Sequence, residues 1–397
     1  MSKLIIAGMQ IHGIPCLCAG IYDQNRMQEI RLIKEEETSI LGNIYVAQVE
    51  NILENIQAAF VMISPMVRCY MPLKEVENLI YGAGKSEGKA LRPGDQILVQ
   101  VSREAMKSKL PSVTSNLNLT GQYLILTTGD KSAGISKKLP RDQRERLKEW
   151  MAKDKPEIGR DFGMIVRTNG ANVSAEELDR EYEYLKGEFL RVAVHGRNRT
   201  CYSLLYRQDL PWRNLIRDTR KDTLEEIVTD VREVAKDAGE LISRQDCIRF
   251  YEDPLLPLHK LYRMEMILEE IKQEKVWLRS GGFLVIQQTE AFVSVDVNSG
   301  KYDGRKKAEE TFRKVNLEAA AEIAHQIRLR NLSGSILIDF INLENPDHKE
   351  ELFHVLQKHL KKDPVRTRAI DITALNIMEV TRQKVRKPVI EELRAMQ

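Results

Sequence analysis

The pattern of apolar residues changes near Pro211, and this change divides the chain into two differently built halves. Before Pro211, short apolar runs alternate with Gly, Pro, Asn and Ser, which is typical of strands joined by turns. After it, segments with helical spacing alternate with strand-like runs. A chain of 397 residues is also too long for one ordinary core. The sequence therefore predicts an α+β protein made of several structural units.

The first half contains the segments of a small barrel. Within residues 40–121, the apolar runs are NIYVAQVENI, QAAFVMI, RCYMPL and DQILVQVSRE. About five short strands in roughly 80 residues fit a closed barrel, for which an OB-fold is one candidate. Residues 3–36 predict roughly two or three further strands. Ser174 followed by Glu177 predicts a capping box at the start of a helix over about 174–196.

The second half mixes helices and strands. Apolar spacing predicts a helix over residues 223–238, which Gly239 would end. Asp347 and Glu350 form a capping-box pattern at the start of a later helix. The longer helical segments are expected over residues 257–279, 306–330 and 347–361. The strand-like runs are FLVIQQ, AFVSVDV and SILIDFI.

Two of these runs, VSVDVNSG and ILIDFINL, each contain one aspartate, Asp296 or Asp339. We expect both strands to be buried on two faces, like inner strands of an α/β sheet, where an unpaired charge is costly. Magnesium suits such a pair because it takes oxygen ligands from one or two carboxylates. Asn298 shares a face with Asp296 and could orient a water or a phosphate oxygen. The alternative is that each aspartate caps a turn at a strand end.

The net charge is +3, so binding to nucleic acid must be argued from local patches of charge. Basic residues cluster in the second half at Arg305, Lys306, Lys307, Arg313, Lys314, Arg328, Arg330, Arg366, Arg368, Arg382, Lys384, Arg386 and Lys387. Such residues would contact phosphates without a sequence preference. The alternative for most of them is a solvated helix face. Arg366 is singled out because it begins the apolar segment of DPVRTRAIDI.

Two aromatic residues of the first half, Phe60 and Tyr70, are candidate platforms for stacking the bases of a single strand. Lys74, Lys107 and Lys109 could contact the backbone of the same strand. The alternative is that both rings belong to the barrel core. The residues alone leave both interpretations open.

The five cysteines form no C-x-x-C pair, so neither a disulfide framework nor a cysteine zinc site is expected. No stretch approaches the roughly 20 apolar residues that span a bilayer. The N-terminus MSKLIIAGMQIHGIP lacks the features of a signal peptide. We therefore expect a cytoplasmic protein without a membrane partner.

Three long segments resemble the ribonuclease E/G family of bacterial endoribonucleases. They are VWLRSGGFLVIQQTEAFVSVDVNSG, NLEAAAEIAHQIRLRNLSGSILIDFINL and IMEVTRQK, within a resemblance that runs from about residue 36 to about 390. The chain is most similar to the short, ribonuclease G type. The resemblance implies a magnesium-dependent endoribonuclease that cuts single-stranded, A/U-rich RNA by attack of water, leaving 5′-phosphate ends. A 5′-monophosphate would stimulate cleavage, and the substrates would be rRNA precursors, tRNA precursors and mRNA.

The family also implies a division into four parts. Residues 1–36 and 212–271 would form a discontinuous ribonuclease-H-like subdomain. Residues 37–120 would form an inserted OB-fold that binds RNA, and residues 121–211 a subdomain that senses the RNA 5′ end. Residues 272–397 would form the α/β nuclease subdomain.

Motif by motif, the resemblance assigns a role to single residues. The metal would be Mg²⁺, or Mn²⁺ in its place. The active-site residues would be Asp296 and Asp339 as metal ligands, with Asn298 and Arg366 beside them. The RNA-binding residues would be Phe60, Tyr70 and Lys109, and the 5′-phosphate pocket would contain Gly121, Ile125, Arg167 and Thr168. Guanidinium, hydroxyl and backbone N–H groups suit a terminal monophosphate, whereas a small pocket would reject a triphosphate.

The chain departs from the family pattern at two places. It has no C-P-x-C motif after IMEVTRQK, where two subunits of relatives share a zinc ion. We therefore expect no zinc, and a homodimer would not be zinc-linked. Asn342 stands where relatives often have aspartate, so a supporting acid is missing. Two other functions stay open: an RNA-binding protein without catalysis, and a metal-dependent phosphohydrolase that acts on nucleotides.

Overall fold

The chain forms two compact units in the computed structural model. The split unit combines residues 1–36 with 224–397, and the inserted unit consists of residues 37–223. An α+β protein of more than one unit is thus confirmed. In the described part of the chain, no helix has both the length and the apolarity to cross a membrane. The structure describes residues 2–34, 39–76, 78–82, 90–105, 109–136, 139–152, 155–219, 224–242, 245–300 and 308–396.

The strands follow the chain in this order. They are β1 (Ser2–Ile11), β2 (Ile14–Asp23), β3 (Arg26–Lys34), β4 (Ile44–Leu53), β5 (Ala58–Ser64), β6 (Val67–Pro72), β7 (Gln96–Arg103), β8 (Ser112–Thr114), β9 (Asn118–Thr120), β10 (Leu124–Thr127), β11 (Ala133–Ile135), β12 (Gly163–Val166), β13 (Leu204–Tyr206), β14 (Leu224–Thr229), β15 (Ile248–Phe250), β16 (Lys275–Trp277), β17 (Phe283–Gln288), β18 (Val293–Asn298), β19 (Gly334–Asp339), β20 (Thr367–Ile372) and β21 (Ile377–Arg382).

The helices are α1 (Arg141–Met151), α2 (Ala175–Leu190), α3 (Pro211–Asp218), α4 (Arg232–Leu241), α5 (Leu258–Leu261), α6 (Met264–Lys272), α7 (Ala308–Leu329), α8 (Pro346–Leu360) and α9 (Val389–Arg394). The capping box of Ser174 and Glu177 is confirmed at the start of α2. The capping box predicted at Asp347 and Glu350 is wrong. Asn345 caps α8 instead, because Pro346 is well suited to the first helical position.

The first sheet of the split unit joins strands from both of its chain segments. Its order is β15-β14-β1-β2-β3. Strands β1, β2 and β3 are antiparallel, whereas β14 lies parallel to β1 and β15 parallel to β14. The strands predicted over residues 3–36 are therefore confirmed.

The helix predicted over residues 223–238 is wrong. Its first part is the central strand β14, and helix α4 begins only at Arg232, with Gly239 inside it. The apolar residues of LEEIVT fit helical spacing as well as a strand. Pairing with β1 and β15 decides between them, and the β-branched residues of this run suit that position.

The second sheet of the split unit has the order β16-β17-β18-β19-β21-β20. Helix α7 connects β18 to β19, which are parallel, whereas β17 and β21 run antiparallel to their neighbours. The core between this sheet and the helices α7 and α8 contains Val293, Val295, Val297, Ile336 and Ile338.

This sheet is covered on one face only within the described residues, and the expectation of two buried faces is wrong. Buried residues alternate with exposed or half-buried ones along β18 and β19. That alternation is what a strand shows when its other face meets solvent. We call the uncovered side, which carries Ser294, Asp296, Asn298, Leu337 and Asp339, the open face.

Several of the predicted phosphate-binding arginines are instead buried and structural. Arg382 is 4% exposed, and its Nε donates to Asp363 Oδ2 at 2.7 Å. Its Nη1 donates to Asn331 Oδ1 at 2.7 Å. Arg330 is also buried, and burial lowers the pKa of its guanidinium to about 10. The predicted basic residues Lys107, Arg305, Lys306 and Lys307 lie outside the described residues.

The inserted unit contains the predicted barrel. Strands β4, β5, β6, β8 and β7 form a ring that closes by pairing between β4 and β7. Strand β13 pairs with the first two residues of β4. A closed five-stranded barrel fits an OB-like fold. Its core is lined by Val49, Val61, Met71, Ile97 and Val99.

A second sheet of the inserted unit, in the order β11-β12-β10-β9, packs with α1 and α2. Buried residues from both helices, Trp150, Leu178 and Phe189 among them, belong to the same core as Phe162 and Met164 of the sheet region. The loops at the ends of β9, β10 and β12 carry the predicted 5′-phosphate pocket.

Candidate active site

Asp296 and Asp339 lie directly opposite each other on the adjacent parallel strands β18 and β19. Both side chains are exposed on the open face. Neighbouring strands are about 4.8 Å apart, so both carboxylates can reach one small ion. The structure thus brings together the two residues that the sequence proposed as metal ligands.

Burial cannot be the reason for a cation to bind between these two carboxylates, because both face solvent. The physical reason is repulsion, since like charges directly opposite each other destabilise a sheet. A divalent cation between them would remove that repulsion. Among the described residues, no group of three or more His, Cys, Asp and Glu is arranged to hold a metal. Two carboxylates with free surroundings suit Mg²⁺, which keeps several waters.

Asn298 restrains Asp296. Its Nδ2 donates to Asp296 Oδ2 at 2.7 Å, across two positions of the same strand. The sequence analysis expected Asn298 to orient a water or a phosphate. In the structure its amide N–H orients the Asp296 carboxylate.

A buried asparagine fixes the chain that follows Asp339. Asn316 of α7 is fully buried; its Nδ2 donates to the Ile341 carbonyl at 2.7 Å, and its Oδ1 accepts from the Ile341 N–H at 3.1 Å. Sequence reasoning missed this residue. A single asparagine within the apolar stripe of a helix is the signal that could have indicated it.

Close backbone packing fixes the chain that follows Asn298. A Cβ at Gly282 would lie 2.7 Å from the Asn298 carbonyl oxygen, and one at Gly300, whose φ is +70°, would lie 2.3 Å from the Gly281 oxygen. Glu318 of α7 holds the facing turn by accepting the Arg279 N–H at 2.7 Å. Gly282 of RSGG and Gly300 of NSG therefore allow this close approach.

Arg366 does not join the acid pair. It is exposed just before β20, where Thr367 and Gly334 both pair with Arg382. Asp339 lies at the other end of β19, about 16 Å along the strand. Asn342 is exposed shortly after Asp339.

The two aromatic candidates of the barrel form a cross-strand pair. Phe60 on β5 is in register with Tyr70 on β6, and their ring centroids are 6.1 Å apart. Both are half-buried rather than part of the core. The guanidinium of Arg68 lies 4.3 Å from the Phe60 ring centroid and forms an ion pair with Glu50.

Two lysine candidates lie near this aromatic pair. Lys109 is exposed and precedes Pro111, whose carbonyl accepts the Tyr70 N–H at 2.9 Å. Lys74 is exposed in the turn that follows β6. Lys109 is therefore next to the segment that pairs with Tyr70, and Lys74 follows the strand that carries Tyr70.

The predicted 5′-phosphate pocket is built around Arg167. Its N–H donates to the Tyr123 carbonyl, its Nη1 to the Gly121 carbonyl and its Nη2 to Asp218 Oδ1, each at 2.7 Å. Thr168 follows it, with Oγ1 3.2 Å from Ser136 Oγ. Ile125 is half-buried on β10, opposite Ile165.

A half-buried glutamate that was not predicted from the sequence accepts the backbone N–H groups of this region. Glu181 of α2 accepts the N–H groups of Gln122, Tyr123 and Leu124 at 2.6, 2.7 and 2.8 Å. Burial raises the pKa of Glu181, and these three N–H groups partly offset that rise. A Cβ at Gly121 would lie 2.6 Å from the Glu181 Cδ. These backbone donors are therefore already paired, and the guanidinium of Arg167 is shared with Asp218.

Known proteins resemble this chain over most of its length. Ribonuclease G of Escherichia coli (strain K12) is 30% identical over 381 residues, which cover 92% of this chain and 77% of that protein. Ribonuclease G of Haemophilus influenzae is 28% identical, with coverage of 92% and 77%. Ribonuclease E of Escherichia coli (strain K12) is 30% identical over 93% of this chain and 36% of that protein.

The match to a family is equally direct. Residues 118–385, more than half of the chain, match the Ribonuclease E/G family. That segment contains Asp296, Asn298 and Asp339 as well as the Arg167 region. The chain belongs to the ribonuclease E/G family.

Proposed function

We propose that the protein is a magnesium-dependent endoribonuclease that cuts single-stranded RNA and works in the cytoplasm. The observation that carries this proposal is the register of Asp296 and Asp339, which faces two carboxylates toward solvent on adjacent strands. Membership of a family that includes ribonucleases G and E supports the reaction and the substrate class.

Asp296 and Asp339 would hold the cation, Mg²⁺ or Mn²⁺. When bound, such an ion lowers the pKa of a water and neutralises charge on the scissile phosphate. Asn298 keeps the Asp296 carboxylate in one orientation through its 2.7 Å hydrogen bond. As far as the described residues go, the open face leaves both carboxylates accessible to a polynucleotide strand. Attack by water would leave a 5′-phosphate and a 3′-hydroxyl end. Arg366 precedes β20 at the end of the sheet opposite Asp339, so we assign it no contact with the cation.

RNA would bind to the barrel of the inserted unit. Phe60 and Tyr70 offer half-buried rings for base stacking, and exposed Lys109 offers a charge for the backbone. Recognition of this kind favours unpaired strands, because stacked bases must be free of a partner. We propose A/U-rich regions of rRNA precursors, tRNA precursors and mRNA as the natural substrates, and a homodimer without a zinc link as a possible assembly.

The pocket of Gly121, Ile125, Arg167 and Thr168 would sense a 5′-monophosphate. Arg167 offers a planar fork of donors that matches phosphate oxygens. The Asp218 carboxylate already binds one arm of that fork, and it is 45% exposed. A terminal phosphate would therefore compete with Asp218 for Arg167.

We retain the division into four subdomains as part of the proposal. The discontinuous ribonuclease-H-like part, residues 1–36 and 212–271, is supported by the sheet that β1–β3 share with β14 and β15. The OB-fold over 37–120 is supported by the closed barrel. The sensor over 121–211 and the nuclease part over 272–397 are supported by their own sheets.

One experiment tests the function as a whole. An A/U-rich oligoribonucleotide is prepared with a 5′-monophosphate and with a 5′-hydroxyl, and each is incubated with and without Mg²⁺. We expect internal cuts that need Mg²⁺ and that are faster on the monophosphate. Binding without cleavage would indicate a non-catalytic RNA-binding protein. Hydrolysis of a mononucleotide in place of the oligomer would indicate a nucleotide phosphohydrolase.

A further inference from the structure

The open face carries an exposed tryptophan on its edge strand. Trp277 of β16 is 64% exposed, whereas Trp150 and Trp212 are 5% and 4% exposed. An indole in solvent contributes little to the core, and exposed aromatic rings are common at binding sites. The position of Trp277 relative to the acid pair indicates which ligand it could contact.

Trp277 points to the same side of the sheet as Asp296. Val276, its neighbour along β16, packs on the core, so the residues on either side of Val276 project onto the open face. Trp277 pairs with Phe283 on β17, and Phe283 pairs with Asn298 on β18. One row across three strands therefore runs from an indole to the amide that orients Asp296.

The next row of the same face ends in the acid pair. Lys275 pairs with Val285, Val285 with Asp296, and Asp296 with Asp339. Two strand spacings, about 10 Å, separate β16 from β18. The ammonium group of Lys275 and the ring of Trp277 therefore belong to a strand two spacings from Asp296, and Phe283 to the strand between them, all on the same face.

The three side chains form one cluster. The ring centroids of Trp277 and Phe283 are 5.4 Å apart, with an interplanar angle of 60°. Lys275 Nζ lies 4.1 Å from the Trp277 centroid and 3.7 Å from the Phe283 centroid. Contact with the rings holds the ammonium at the surface, where it remains able to meet an anion.

We infer that Trp277, Phe283 and Lys275 form a subsite for the RNA strand being cut, in which a base stacks on Trp277 and Lys275 meets a neighbouring phosphate. The inference rests on the proposed function and adds a substrate contact to it. Proteins that bind single-stranded RNA combine aromatic rings with positive charge. The bases stack on the rings, and the charge contacts the phosphate backbone. The adjacent carboxylates would repel the phosphates of RNA as well, so stacking on the uncharged rings and the charge of Lys275 would supply the attraction that places the strand beside the acid pair.

The test compares Trp277→Ala with Trp277→Phe and with Ile370→Ala. Ile370 is 54% exposed on β20, the opposite edge strand, and serves as a matched loss of exposed apolar surface. We expect Trp277→Ala to lower kcat/KM on RNA roughly 5- to 150-fold, the range for one stacked base. Trp277→Phe should keep most of the activity, and Ile370→Ala all of it. Unchanged thermal midpoints would show that the variants are folded.

A second measurement locates the stacked base. Oligoribonucleotides that each lack one base near the cut, with the ribose kept, are compared in the wild type and in Trp277→Ala. We expect the wild type to lose rate at one position, and Trp277→Ala to be insensitive at that position. Equal sensitivity in both proteins, or full activity of Trp277→Ala, would overturn the inference.

Fluorescence separates a failure of this inference from a failure of the proposed function. Because the other two tryptophans are buried, RNA should quench the emission of the wild type strongly and that of Trp277→Phe weakly. If the wild type did not cut RNA, the proposed function would fail, and quenching would still decide whether a base stacks on Trp277. Equal quenching in the wild type and in Trp277→Phe would overturn the inference. If the wild type also formed a concentration-dependent dimer that Trp277→Ala did not form, the cluster would be a protein interface.

Discussion

The open face of the split unit and the Arg167 region of the inserted unit treat charge in opposite ways. On the open face, two carboxylates lie opposite each other, and within the described residues the hydrogen bond from Asn298 is their one side-chain partner. Around Arg167, both charged side chains have hydrogen-bond partners. Glu181 accepts three backbone N–H groups, and Arg167 donates to the Gly121 carbonyl and to Asp218.

Whether the charged groups already have partners determines how each site would respond to a ligand. On the open face, the Asp296 and Asp339 carboxylates repel each other. A cation bound between them would remove that repulsion, which would favour its binding. The Arg167 region starts from a balanced network, so an incoming phosphate must replace Asp218. The first arrangement suits an essential ion, and the second suits a modest preference between RNA ends.

The largest effect is expected at the acid pair. Asp296→Asn or Asp339→Asn should lower the rate of RNA cleavage more than about 100-fold. Mutation of a residue that only hydrogen-bonds to a metal ligand typically lowers activity 10–100-fold, and a ligand itself should matter more. RNA binding should persist. Without Mg²⁺ each variant should gain about 0.2–1 kcal/mol in the free energy of unfolding, since one like charge is removed. Asp371→Asn, an exposed aspartate of β20, is the control. Wild-type turnover at limiting Mg²⁺ in either variant would refute the metal assignment.

The next effect is expected at Glu181. Glu181→Ala should lower the free energy of unfolding by about 2 kcal/mol or more, because each buried donor left unpaired costs about 1–3 kcal/mol. The preference for 5′-monophosphate should also fall as the 121–124 turn relaxes. Glu183→Ala, on the same helix with a side chain 62% exposed, is the control for chemical denaturation. Equal stability of the two variants would mean that water replaces the carboxylate at no cost.

A smaller effect is expected at Arg167. Arg167→Ala should lose roughly tenfold in rate on monophosphorylated RNA, since a charge-assisted hydrogen bond contributes about 1.5–3 kcal/mol. The rate on 5′-hydroxyl RNA should hardly change. The ratio of the two rates is the measurement, with Arg160→Ala as an exposed control in the same unit. If both rates fell equally, Arg167 would have a structural role only.

The smallest effect is expected at Asp218. Asp218→Asn frees one arm of Arg167, so the rate ratio should rise by up to about fivefold, the value of a partly exposed ion pair. Asp161→Asn removes another exposed aspartate–arginine pair of the inserted unit and should leave the ratio unchanged. A fall in the ratio would mean that Asp218 positions Arg167 for the phosphate and does not compete with it.

Local patterns predicted much of the architecture. Turn residues between short apolar runs predicted the barrel, and the Ser174–Glu177 pattern predicted the start of α2. Such features depend on neighbours within a few residues. The run LEEIVT was misjudged as helix because its spacing fits both periods, and partners far along the chain, in β1, decide its state.

The sequence by itself determined which residues are candidates: Asp296, Asn298 and Asp339, the rings of Phe60 and Tyr70, and Arg167. Only the tertiary structure decided that the two aspartates face solvent in direct register, that Arg366 lies at the other end of the sheet, and that Trp277 shares their face. Glu181 and Asp218 became visible only through their partners, and Asn316 was marked in the sequence only as a lone polar residue in the apolar stripe of a helix. The physical reason is that strand register and buried hydrogen bonds join residues distant in sequence, whereas residue spacing reports only on near neighbours.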